Sequence, residues 1–128
     1  MMETVRSVHE ISGYVAIVAN AIAGLIMLLA WKVPSVRGRW NWWVTWVAQG
    51  LMLGQIALGV TLISSEQYKG VPRFHMFYGF IAFLAIGALS SYRKQLRGRP
   101  VMLLGLYGAA GLFIMGLGIR AVLQLQTP

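Results

Sequence analysis

The chain has 128 residues, 58% hydrophobic and 11% charged, with a mean hydropathy of +0.67. So few charges cannot cover that much apolar surface in water, which excludes a soluble domain and predicts an integral membrane protein. The net charge of +8 comes without any nucleic-acid-binding motif, so it predicts basic loops against lipid headgroups and no nucleic-acid partner.

The N-terminal stretch METVRSVHE lacks the features of a signal peptide, so the first apolar segment is expected to be a retained helix. Four apolar runs follow, each near the roughly 20 residues that a helix needs to cross a bilayer. They cover residues 11–31, 43–63, 76–92 and 101–123. The runs are continuous and not alternating, which argues against transmembrane strands. Pro34 with Gly38, Gly70 with Pro72, and Gly98 with Pro100 separate them. The expected fold is therefore all-α: a single four-helix transmembrane bundle built as two tandem helical hairpins.

Lysine and arginine set the expected orientation. Lys32, Arg37 and Arg39 fall in the first connection, and Arg93, Lys94, Arg97 and Arg99 in the third. These hold most of the positive charge, so loops 32–42 and 93–100 are expected in the cytoplasm of a bacterial plasma membrane, with both termini outside. Trp40, Trp42, Trp43 and Trp46 form an interfacial belt beside the first basic loop. Tyr68, Phe74, Phe77 and Tyr78 are expected at the opposite edge, where the two phenylalanines could also flank a ring bound at His75.

The two halves share a pattern. HEISGYVAIVA, from His9, and HMFYGFIAFLA, from His75, both read H-x-x-x-G-[YF]-x-A-x-x-A. Arg-Gly-Arg recurs at 37–39 and 97–99, and Gly54 with Gly59 repeats the spacing of Gly111 with Gly116. A duplicated hairpin runs its first and third helices in the same direction. His9 and His75, the chain's two histidines, would then stand at the same edge and could ligate one metal. Gly13 and Gly79, one turn on, would leave flat backbone beside each imidazole for a planar macrocycle. Two neutral imidazoles on one iron make a low-spin b-type haem suited to electron transfer. Arg73 and Arg120, at the same edge as Arg6 and Lys69, are candidate partners for haem propionates. Snorkelling to the headgroups is the simpler role for Arg120, and headgroup anchoring for a lone interfacial histidine. Gln49 or Gln55 could line the pocket; otherwise, like Asn20 and Thr61, they would bond to neighbouring helices.

Other chemistries find no support. The chain has no cysteine, which excludes disulfides, iron–sulfur clusters and c-type haem attachment. Glu3, Glu10 and Glu66 are its acidic residues, and they form no carboxylate pair, so no catalytic residue is assigned. No charge falls mid-membrane, which disfavours a pump, ion-coupled transporter or voltage sensor.

The stretch QIALGVTLISSEQYKGVPRFHMFYGFIAFLA, residues 55–85, resembles a helix pair of the haem A synthase family, in which a Q-x-x-L-G helix precedes a histidine-bearing one. The pattern is also similar to b-type membrane cytochromes with a four-helix core. The resemblance implies His9 and His75 as axial haem ligands, with Gly13 and Gly79 admitting the ring. Haem A synthases follow the histidine with arginine, whereas Glu10 follows His9 here, so only the haem bundle is carried over. The expected function is a small membrane b-type cytochrome, or a haem-binding subunit of a redox complex. The alternative is a non-catalytic accessory subunit of a larger respiratory or photosynthetic complex, or a homo-oligomer, with a chlorophyll-type pigment on a single histidine or no cofactor.

Overall fold

A computed structural model describes residues 1–65 and 70–126. It is a bundle of four helices: α1 (Met2–Lys32), α2 (Arg39–Ile63), α3 (Arg73–Gln95) and α4 (Pro100–Gln126), with a short 3₁₀ turn at Pro34–Val36 between the first two. All four are long and apolar enough to cross a bilayer, and no strand occurs among the described residues. Helices meet the demand of a lipid environment because each satisfies its backbone N–H and C=O groups internally.

The helices outrun the apolar segments. α1 begins at Met2, not near Ile11, and α2 takes in Arg39 to Trp42, which hydropathy alone assigns to a loop. α3 begins at Arg73 and runs on to Gln95. Hydropathy marks the part of a helix that lipid covers, not the part that is helical. With 31 residues, α1 extends about 46 Å, against a hydrocarbon core of roughly 30 Å. In its first turns the Arg6–Glu10 ion pair, 3.3 Å at a four-residue spacing, suits a solvated helix.

Prolines set two of the ends. Val33, before Pro34, is extended, as proline demands of its predecessor, and α1 stops there. Pro100 occupies the first position of α4, where its missing N–H is no loss. Arg37 then turns back over the end of α1. Its Nε donates to the Ala30 carbonyl at 2.7 Å and its Nη2 to the Trp31 carbonyl at 2.9 Å. A cation on orphan carbonyls at a helix C-terminus is favourable on both hydrogen-bond and dipole grounds.

Within the bundle, α1 packs along α2 and α4, α3 packs along α4, and α2 and α3 touch little. Consecutive helices are neighbours, so α1 and α3 lie on one diagonal. The inner stripe of α1 is small: Ala16, Asn20, Ala23, Gly24, Met27 and Ala30 are buried. Asn20 donates from Nδ2 to its own Ala16 carbonyl at 2.8 Å and to Ala48 of α2 at 3.1 Å, tying the first hairpin together deep in the bundle. At the basic end the Arg93 guanidinium lies 5.2 Å from the Trp42 ring and 4.9 Å from Trp46, and Trp42 meets Tyr107 edge-on at 4.9 Å.

Candidate functional site

Both histidines sit in the end turns of their helices, His9 in the second turn of α1 and His75 in the first of α3. Because α1 and α3 share a diagonal and run the same way, the two side chains meet across the bundle. Their ring centres are 6.2 Å apart and their planes cross at 78°. Both are half-buried.

Each ring is held at Nδ1, but by opposite kinds of partner. His75 Nδ1 lies 2.8 Å from the Ala121 carbonyl oxygen of α4. A carbonyl only accepts, so Nδ1 carries the proton and Nε2 keeps a free lone pair. His9 Nδ1 lies 2.8 Å from the Gln55 amide nitrogen of α2. That nitrogen only donates, so Nδ1 accepts and the proton sits on Nε2. The Gln55 amide also donates to the His9 backbone carbonyl, while its Oε1 accepts from Ser12 Oγ at 2.5 Å.

The histidines face a cavity of about 770 Å³. That is within the roughly 300–1,000 Å³ typical of cofactor sites. Its walls come from all four helices and are mostly apolar, including Ile17, Met52, Ile56, Phe83, Leu117 and Val122. Ala82 is buried in its wall. Phe80 and Phe83 of α3 and Val60 of α2 both line it and are at least half exposed, so it opens sideways along the loosely packed α2–α3 seam.

The two glycines of the repeat differ. Both line the cavity. Gly79 faces open space, as a planar ring would need. Gly13 does not: a Cβ there would come within 2.8 Å of the Gln55 amide nitrogen, so its missing side chain makes room for glutamine. Arg73 and Arg120 are exposed and are not among the cavity-lining residues; among the described residues the cation at the rim is Arg6, paired with Glu10. Phe74 and Phe77 stack with Tyr78 and stay outside, and of these three only Tyr78 reaches the wall. Gln49 does not line the cavity, and Gln55 does. Glu66, Tyr68 and Lys69 lie outside the described residues.

Sequence reasoning missed three contributors. Ser12 shares a face with His9 at three-residue spacing, a signal that was available. Gly59 lies under His9, where a Cβ would stand 3.2 Å from the ring's Cε1. The Ala121 carbonyl has no side-chain signature at all. Among the described residues no group of three or more His, Cys, Asp or Glu gathers as a metal cage, so the donors available are the two imidazoles. The chain matches no protein-family model, no curated protein and no solved structure.

Proposed function

We propose that the chain is a small membrane haem protein of the b type, in which His9 and His75 would hold the iron, and whose work is electron transfer. The observation that carries this is the 6.2 Å separation of the two rings across the bundle diagonal. Two metal–nitrogen bonds of about 2 Å, plus about 1.1 Å from each ring centre to its nitrogen, sum to about 6 Å for imidazoles sharing one metal. A bare ion would also accept that span, but it needs no cavity of about 770 Å³ with apolar walls, and a macrocycle does. The residues present fit the group: two imidazoles, with Nε2 of His75 free, an open backbone at Gly79 and apolar side chains on either side.

When bound, haem supplies a one-electron iron couple. The chain does the rest. Ala121 fixes the ring of His75. Met52, Ile56, Phe83 and Leu117 keep water from the site. Arg6, at the rim, offers a guanidinium to carboxylates that reach it. With both His9 and His75 holding the iron, the group would suit electron transfer and not ligand activation. The cation-rich end would face the cytoplasm of a bacterial plasma membrane. The chain has no native cysteine, so single cysteines at Ser35 and Ser7 report this cleanly. An impermeant thiol reagent applied to intact cells should label Ser7→Cys and spare Ser35→Cys; the reverse pattern inverts the orientation.

One observation favours a second reading, a chlorin pigment on a single histidine of an accessory subunit. His75 alone presents a free Nε2 in this arrangement. A reduced-minus-oxidised spectrum with pyridine haemochrome analysis, on detergent-purified protein supplied with haem, separates the two. Haem binding predicts a low-spin b-type signal that disappears in both His9→Ala and His75→Ala. A bis-imidazole signal that survives either change, or a wild type that takes up no haem, defeats the assignment.

A further inference from the structure

The two histidines are not equivalent, and the difference lies in one amide. We infer that Gln55 is a positioning residue that sets the tautomer of His9, and so decides whether one histidine or both can bind a metal centre. In its metal-bound half the inference rests on the haem reading; in its metal-free half it stands on the hydrogen bonds alone.

Gln55 is tightly constrained. Its nitrogen faces two acceptors, the His9 carbonyl and His9 Nδ1, and its oxygen faces the Ser12 hydroxyl. Gly13 leaves the space that the amide fills. With this orientation the His9 proton is held on Nε2. A nitrogen that carries a proton has no lone pair for a metal, and Nδ1 is covered by glutamine. His75, with its proton on the Ala121 side, is ready to ligate.

A second arrangement satisfies the same groups. If the amide turns over, Oε1 accepts a proton from His9 Nδ1 and the amide nitrogen donates to Ser12 Oγ. Ser12 can exchange roles because a hydroxyl both donates and accepts, and its oxygen lies 3.4 Å from the His9 carbonyl, which it can then serve. The His9 proton moves from Nε2 to Nδ1 through solvent, with no net gain or loss, and Nε2 is freed. The amide must swing off the His9 carbonyl to do this, so the turned state exchanges that bond for the longer one from Ser12, at 3.4 Å, and is the weaker of the two. A bond from Nε2 to a metal would offset that loss. His75 therefore binds first, and His9 follows when Gln55 turns.

The test begins on metal-free protein in detergent with ¹⁵N-labelled histidine, at a pH where both rings are neutral. Nitrogen NMR should find His9 protonated on Nε2 and His75 on Nδ1; the same tautomer at both, or His9 on Nδ1, overturns the inference. Haem is then added, and absorption and electron paramagnetic resonance read the spin state. Gln55→Glu offers only acceptors to His9 Nδ1 and should give the six-coordinate, low-spin form. It should also shift the oxidised-to-reduced ratio at fixed potential about tenfold toward oxidised, which is about 59 mV for one electron. Gln55→Lys offers only donors and should raise the ratio of high-spin to low-spin haem at least tenfold over wild type. Both variants matching the wild-type spin state would overturn the assignment. A wild type that takes up no haem removes the parent reading, while the metal-free tautomers still decide the role of Gln55. That measurement needs no variant to fold.

Discussion

The α1–α4 seam and the α2–α3 seam hold opposite sides of the same bundle, and they are packed in opposite ways. Along α1–α4 the backbones nearly touch. A Cβ on Gly111 would stand 2.9 Å from Gly24 Cα, and one on Gly108 would stand 2.6 Å from Leu28 Cγ. Along α2–α3, Gly79 of α3 faces nothing within 4 Å, and the cavity opens between the helices. Burial follows: 39% of the apolar span of α1 and of α4 is covered, against 17% for α2 and α3. In lipid no hydrophobic force draws helices together, so close van der Waals contact must do it, and glycine is what permits the approach. The closed seam fixes the diagonal on which the histidines meet. The open seam leaves room for a ligand to supply the packing that α2 and α3 lack.

The largest effect should come from closing off that contact. Gly111→Val places a branched side chain against the backbone of α1, where neither Gly24 Cα nor the Asn20 carbonyl can yield. Overpacking of this kind costs about 1–3 kcal/mol, and more where backbone must move. Gly54→Val puts the same side chain into open space on α2 and should change stability by less than about 0.5 kcal/mol. Thermal unfolding in detergent, followed by helicity, compares the pair. Equal losses would mean that Gly111 is not pressed against the backbone of α1.

That contrast also marks what the sequence could disclose. Four helices, their order and the shared edge of His9 and His75 were legible, because apolar runs and a motif that recurs at helical spacing are one-dimensional patterns. The unequal seams were not. Gly54 and Gly111 occupy equivalent places in the repeat, and only packing shows that one is open and the other pressed on α1. The same holds at the site. Gly13 and Gly79 read alike, yet the amide of Gln55, from a helix outside the motif, fills the space beside Gly13. Arg73 and Arg120 lie toward the right end of their helices but on exposed faces away from the cavity, since position along a helix does not fix direction around it. Arg6, paired with Glu10 in α1, is at the rim instead.

Gly59 and Gly79 sharpen the comparison at a smaller scale, because both line the cavity but only one supports a histidine. A Cβ on Gly59 would stand 3.2 Å from His9 Cε1 and 3.8 Å from Nε2, so Gly59→Ala must push the ring by a few tenths of an ångström. The ring is already held at Nδ1 by Gln55, so it can only pivot, which misaims Nε2. Haem affinity should fall about 3- to 10-fold, roughly 0.7–1.4 kcal/mol, with thermal stability of the metal-free protein unchanged. At Gly79 a Cβ meets nothing within 4 Å, so Gly79→Leu extends into the cavity and leaves His75 on its Ala121 carbonyl, and a loss of haem affinity there comes from the occupant and not from a ligand. Haem titrations of the two variants therefore report on different things: the first on the aim of a histidine, the second on whether a flat ring lies against α3. Full affinity in Gly79→Leu would place the bound group elsewhere in the cavity, even if both histidines hold it.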